Sequence, residues 1–244
     1  MFMLMFLFLS VQEPSNSNPD ELWVQANQAY QDEVYNDAID HYESILATGV
    51  ENGKLHYNLG NAYYRDGQLG KAILHYHRAR RLAPGDQDVL HNIAIANQHR
   101  QDPPIEGEDE GAGFERLMHT LPYSTVFFLA MTLLCLGGGA SVWLVVKPES
   151  RKWVGYVMVV GFTGGILLTA LAWVQHQQIT DQDQAVIITE RVEVLSGPST
   201  RETVSFTIHE GITCKILDRT EGWLRIRLAN GYNGWVRQGD LEVI

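Results

Sequence analysis

Tyr57-Asn58-Leu59-Gly60-Asn61-Ala62-Tyr63-Tyr64, followed by Gly67, Ala72, Tyr76, Ala79 and Pro84, is the stretch from which the rest of the chain can be read. Residues three and four apart share a helix face. Leu59, Gly60 and Tyr63 therefore fall together on a first helix, and Ala72, Tyr76 and Ala79 on a second. Small residues let two such helices cross closely, and Pro84-Gly85 stops the second one. Upstream, Trp23, Ala26, Asn27 and Tyr30, then Ala38, Tyr42 and Ile45, repeat the pattern, with an inter-helix turn read as one residue shorter and without its glycine. Downstream, residues 88–100 carry Leu90, Ile93, Ala94 and Asn97 in the same register before Gln101-Asp102-Pro103-Pro104 ends the pattern. A helix in that position caps a stack whose last apolar face needs cover.

This spacing resembles the tetratricopeptide repeat (TPR), a helix pair recurring about every 34 residues. Residues 19–100 are accordingly predicted to be an α-helical TPR solenoid of two repeats plus a capping helix. The resemblance implies a concave groove, lined by the first helices, that binds peptides. Tyr57, Asn61, Tyr64, Arg65 and His91 are the candidate protein-binding residues, with Val24, Gln28 and Ile95 beside them. The competing expectation is that some of these side chains only pack the short stack. Asn58 matches an asparagine of the carboxylate-clamp TPRs, but Val24, Gln28 and Asp88 stand where that subgroup has basic residues.

The chain of 244 residues carries a formal net charge of −11. With no basic stripe to neutralise phosphates, direct nucleic-acid binding is excluded. The acids concentrate within residues 102–115, and the segment 101–113 has too little apolar surface to fold, so it is expected to be a solvated spacer. Residues 101–122 read as this linker plus a lead-in in which Phe114, Leu117, Met118 and Leu121 recur at helical spacing. Residues 1–18 form an apolar run and a polar lead that resemble a secretory signal, although no basic residue opens it.

Residues 123–146 and 153–174 contain no Asp, Glu, Lys or Arg, and each approaches the ~20 residues needed to cross a bilayer. They predict a two-helix transmembrane hairpin. The turn at residues 147–152 holds Lys147, Arg151 and Lys152, whereas acids flank the outer ends. Basic turns stay in the cytoplasm, which places the large segments on either side of the hairpin outside it. Gly137 and Ser141, like Gly161 and Gly165, are four apart and form small-residue notches, suited to packing within the hairpin or to docking another membrane protein.

After a linker at 175–184, residues 185–244 switch to alternation: Val192 and Val194; Val204, Phe206 and Ile208; Ile212, Cys214 and Ile216; Leu224, Ile226 and Leu228. Turn residues separate these runs, Asn230-Gly231 being a hairpin signal. Five short strands suit a small all-β barrel. The run Val194-Leu195-Ser196-Gly197-Pro198-Ser199, then Glu210-Gly211, Gly222-Trp223-Leu224, Gly234-Trp235-Val236 and Leu241, resembles the bacterial SH3-like family. That resemblance implies binding of peptides or cell-wall glycopeptides, with Leu195 departing from the arginine common there. Trp223, Tyr232 and Trp235 are the candidate ligand-binding surface, against packing of the core and rim. The fold class is therefore multidomain α + β: TPR solenoid, transmembrane hairpin, SH3-like barrel.

No HExxH, Walker, CxxC or GxSxG pattern is present, so no enzyme, no cofactor and no metal site is expected. His41 and His75 occupy equivalent repeat positions with His77 nearby, but no Cys or acid completes a tetrahedral set. The order of parts resembles the BatE proteins of the Bacteroides aerotolerance group. This resemblance implies a non-enzymatic scaffold, multi-pass in the bacterial inner membrane, with both domains in the periplasm. It also implies von Willebrand factor A-type Bat proteins as partners and a role in oxygen or stress tolerance. The alternatives are a peptidoglycan-binding tether and an accessory subunit of an envelope enzyme.

Overall fold

The computed structural model describes residues 18–105, 123–147, 149, 151–180 and 183–244. The signal-like run, most of the acidic linker, the lead-in at 114–121 and Pro148 and Ser150 of the basic turn lie outside the described residues. The chain divides into two compact units, Met1–Glu51 and Asn52–Ile244.

The first unit is a helix pair, α1 (Pro19–Gln31) and α2 (Tyr35–Ala47). Asn18 caps α1 by accepting the Asp20 N–H at 3.2 Å. Leu22 and Ala26 are buried on α1, and Ala38, Ile39, Tyr42 and Ile45 on α2. Trp23 meets the Tyr42 ring edge-on at 5.8 Å. The predicted register took Trp23 as the anchor of this repeat, but the buried stripe begins one residue earlier, at Leu22. That offset is what made the turn look short. In the structure Glu33 stands where the second repeat has Gly67, and both are left-handed, at φ 62° and 86°. Both turns close with the same pair of backbone bonds, Glu33 N–H to Tyr30 and Val34 N–H to Ala29, Gly67 N–H to Tyr64 and Gln68 N–H to Tyr63.

The second unit begins with α3 (Gly53–Asp66), α4 (Leu69–Leu82) and α5 (Gln87–Gln98). The Asn52 and Asp86 side chains cap α3 and α5. Tyr76 donates its hydroxyl to Asn61 Oδ1 at 2.8 Å, the counterpart of Tyr42 to Asn27 at 2.8 Å in the first pair. Helix α5 turns Val89, Ile93 and Ala96 inward and leaves Ala94 exposed. Of the predicted register Leu90, Ile93, Ala94 and Asn97, Ile93 is buried and Leu90 and Asn97 are half-buried. Ala94 occupies the Gly60 position, whose use is to admit a second helix, and no such helix follows α5 among the described residues.

Two long helices come next, α6 (Tyr123–Val146) and α7 (Arg151–Thr180). Tyr123–Val146 and Lys152–Val174 are long and apolar enough to cross a membrane, and only 11% and 17% of their most apolar windows is buried. Side chains such as Phe128, Val142, Val160 and Leu167 point outward, which an aqueous setting would penalise. The helices touch through their glycines. A Cβ on Gly161 would lie 2.8 Å from Gly137 N, and one on Gly165 would lie 2.6 Å from Leu134 Cγ. The notches are thus used within the hairpin. Helix α7 continues through most of the predicted linker, to Thr180.

The C-terminal region is one antiparallel sheet of seven short strands: β1 (Gln184–Ile187), β2 (Arg191–Leu195), β3 (Val204–His209), β4 (Thr213–Thr220), β5 (Trp223–Arg227), β6 (Asn233–Arg237) and β7 (Leu241–Val243). Their order, β3-β2-β6-β5-β4-β1-β7, is that of an open sheet. The predicted five strands gain two because β1 and β7 are too short to show alternation. Val192, Val194, Ile212, Cys214, Leu224, Ile226 and Val236 fill its inner face, and burial pushes the Cys214 thiol up to about 12.

Gly60 tests the helix crossing. A Cβ there would lie 2.7 Å from Tyr76 Cδ1 and 3.3 Å from the Ala72 carbonyl, and the Tyr76 ring is held by Asn61. Gly60→Ala should cost about 1–3 kcal/mol, read as a lower melting temperature of the detergent-solubilised chain. An unchanged temperature would mean that the crossing is looser than described.

Candidate functional site

Helix α4 carries an unbroken buried run from Ala72 to His77. Ala72, Tyr76 and Ala79 face the helical stack. The opposite stripe, Gly70, Ile73, His77 and Arg81, follows a three-to-four spacing and lies toward the sheet. Gly70 donates its N–H to Glu210 Oε2 at 2.7 Å. A Cβ on Gly70 would lie 2.8 Å from the Ile187 carbonyl oxygen and 2.9 Å from Ile188 Cα, so only glycine fits. Gly211, left-handed at φ 87°, is as tight against Ile73, whose Cδ1 would lie 2.6 Å from its Cβ.

Charged groups close the rim of this interface. Arg78 donates Nε and Nη2 to the Val243 carbonyl at 3.2 and 2.6 Å, and Nη2 lies 3.3 Å from Glu242 Oε2. Arg81 donates to the Ile244 carbonyl. The buried Arg100 reaches the Gly211 carbonyl at 3.4 Å. Asp102 accepts the His209 backbone N–H at 2.7 Å and sits 2.9 Å from His209 Nδ1, while Ile105 packs against the sheet core. The start of the expected spacer is therefore docked on the sheet. The two domains, read from sequence as separate modules, grip each other. Their contact also puts them on one side of any membrane that the hairpin crosses.

Within the stack, Asn61 Oδ1 accepts from both Tyr76 and Asn92, the latter at 2.8 Å, and Asn92 also reaches the Tyr57 hydroxyl at 3.3 Å. Tyr64 meets His99 edge-on, with its hydroxyl 3.3 Å from Nδ1. Tyr57, Asn61 and Tyr64 are thus engaged in packing α3 against its neighbours, whereas Arg65 and His91 are exposed. On the sheet, Tyr232 is exposed and tilts over Phe206 at 6.0 Å, and Trp223 and Trp235 are half-buried on β5 and β6. Trp223 and Trp235 share the outer face of β5 and β6, opposite Arg237 and Arg225, while Tyr232 lies against Phe206.

These features match known domains in two places. Residues 53–86 match the family model of the tetratricopeptide repeat. Residues 190–242 match that of the bacterial SH3 domain. No curated protein matches the chain. Modules of these two kinds are typically non-catalytic and suggest protein-interaction or peptidoglycan-binding roles. Among the described residues no three His, Cys, Asp or Glu side chains are grouped to hold a metal ion.

The residues that sequence reading missed are Gly70, Arg78, Arg100, Glu210 and Gly211. One signal was available, because Ile73 and Leu74 are apolar outside the Ala72–Tyr76–Ala79 face, and a helix apolar all round is a buried one.

Two buried histidines of α4 resist protonation in the folded chain. His56 and His75 lie Nδ1 to Nδ1 at 3.0 Å, so one ring must be neutral and accept. Burial first, then the charges of Arg78, His56 and Lys71, holds His75 well below the usual histidine value. Burial, then Arg80 and Arg100, does the same for His77, whose ring nitrogens have no partner among the described residues. The unfolded chain takes up these protons near pH 6.5 while the folded chain resists them, so this stability is complete above about pH 6.5 and is lost as pH falls below it. The melting temperature should drop between roughly pH 7.5 and pH 5.5, and His77→Leu should flatten part of that drop. An identical slope in the variant would remove His77 from the explanation.

Proposed function

We propose that the chain is a non-enzymatic, membrane-anchored scaffold that holds protein partners through its helical repeat, with the SH3-type sheet fixed beside it. The observation that carries this reading is the grip between α4 and the sheet. Two modules of interaction type, α4 with its stack and the sheet, are packed together in a chain that also carries a two-helix anchor. The exposed Arg65 and His91 are the members of the predicted groove best placed to meet a partner. The order of parts resembles the BatE proteins, which supports a bacterial inner-membrane location, von Willebrand factor A-type Bat partners and a role in envelope stress or oxygen tolerance. The basic turn supports a periplasmic position for both domains.

Truncating one good anchor of a protein interface costs about 2 kcal/mol, roughly thirtyfold in affinity. Arg65→Ala combined with His91→Ala should therefore deplete co-purifying proteins in mild detergent while leaving the chain's melting temperature in place. Retention of every partner would remove the groove as the docking surface. If partners are absent and the chain pellets with cell-wall sacculi instead, the peptidoglycan tether is the better reading. Orientation is read by cysteine labelling in intact cells, in which Asn52→Cys and Asn230→Cys should react with an impermeant reagent and Ser150→Cys should not. The reverse pattern would invert the topology.

A further inference from the structure

The outer face of β5 and β6 is rich in arginine and tryptophan in a chain whose net charge is −11. Leu224, Ile226, Gly234 and Val236 point inward and are buried. On the other face Trp223 stands opposite Arg237, and Arg225 opposite Trp235. Arg227 continues the row and is flanked on β4 by Lys215, while Asp218, opposite Arg225, is the acid on this face of β4. The three arginines are exposed and the two tryptophans half-buried. Helix α4 reaches the sheet at its β1–β7 side and leaves this face open.

The chain path tethers the start of β1 within about 20 Å of the apolar end of α7. The apolar part of α7 ends at Val174, and the helix runs on to Thr180. Six further helical residues add about 9 Å, and the three steps from Thr180 to Asp183 add at most about 11 Å. The Asp183 carbonyl accepts the Ile216 N–H at 2.6 Å, and Gln184 pairs with Lys215. Because β4 is antiparallel to β1, its residues beyond Ile216 run back past the start of β1, toward the side from which α7 arrives. The β4–β5 hairpin therefore carries Trp223, with Arg237 opposite, toward the membrane end of the sheet.

We propose that this face docks on anionic phospholipid headgroups of the membrane that the hairpin crosses, a reading that rests on α6 and α7 spanning it. Tryptophan favours the headgroup level, where its ring is apolar and its N–H stays wet. Arginine lays its stem along apolar surface and keeps its guanidinium at the phosphates. Near an anionic surface each such cation is worth about fivefold, so three together shift the docked-to-undocked ratio by about a hundredfold. Docking would fix the height and orientation of the sheet, and of the helical repeat gripped to it, above the bilayer.

The test uses the full chain in nanodiscs, with Cys135→Ala and Cys214→Ala and a fluorophore on Asn233→Cys, read by quenching from headgroup spin-labelled lipid. Discs with about one quarter phosphatidylglycerol should quench strongly. Discs of phosphatidylcholine alone, high salt, or the triple variant Arg225→Gln, Arg227→Gln and Arg237→Gln should each release the label. Equal quenching in both lipids, or quenching retained in the triple variant, would overturn the proposal. So would a label that responds to soluble polyglutamate but not to phosphatidylglycerol, which would assign the face to an acidic protein. A triple variant that melts lower is set aside, and the lipid and salt arms decide. A chain that fails to enter the discs refutes the membrane reading and the docking with it, whereas an incorporated chain with an unquenched label refutes the docking alone. The scaffold reading is judged separately, by the Arg65 and His91 pull-down.

Discussion

The arrangement of the second unit depends on α4 being buried on two sides at once. A helix that packs one stripe needs a partner on that stripe only, and its other side can be polar. Here Ala72, Tyr76 and Ala79 serve the helical stack while Gly70 and Ile73 serve the sheet. The second contact is possible because Gly70 has no side chain where the Ile187 carbonyl and Ile188 Cα approach. Each small residue thus permits a backbone contact, and the arginines at 78, 81 and 100 then satisfy carbonyl groups along its edge. The half-buried ion pair of Arg78 with Glu242 adds little by itself; the carbonyl contacts and the close packing decide the geometry.

Among the described residues the stack ends at α5 with no second helix paired to it, and the grip supplies cover there. Helix α5 covers one side of α4, and the sheet covers the side toward Ile73. The segment leaving α5 is drawn onto the sheet by Asp102 and Ile105. Within the second unit the structure couples α4, and through it α3 and α5, to the sheet, so the two surfaces keep a fixed position relative to each other. Helix α4 also buries His75 against His56 and Tyr63 of α3, and His77 near the positive charges of Arg80 and Arg100, which links its packing to pH.

Much of the fold was legible because its devices are local. Gly60, Ala72 and Tyr76 announce the helix crossing, uncharged runs announce the hairpin, and alternating Val, Ile and Leu announce the strands. The first repeat was misread by one residue because Trp23, the larger side chain, looked like the anchor that Leu22 supplies, and because Glu33 holds the left-handed turn position where glycine was sought. The α5 register was legible at Ile93, whereas Ala94, which keeps the repeat's small residue, is exposed because no second helix covers it among the described residues. The site was less legible. Tyr57, Asn61 and Tyr64 fit a groove by spacing, yet hydrogen bonds to Asn92 and the contact with His99 depend on how α5 packs, which spacing does not encode. The contact between Gly70 and Glu210 joins residues far apart in sequence, across two membrane-length helices, and no local pattern marks it.

Amide hydrogen exchange of α4 is the most direct measure of the grip, comparing the full chain in detergent with one lacking residues 185–244. The α4 amides that face the sheet, those of Gly70, Ile73 and His77, should exchange markedly faster after the deletion, while those of α3 at Leu59 and Tyr63 change less. Equal protection of α4 in the two chains would contradict the account, because the helix would then owe its burial to the repeat alone.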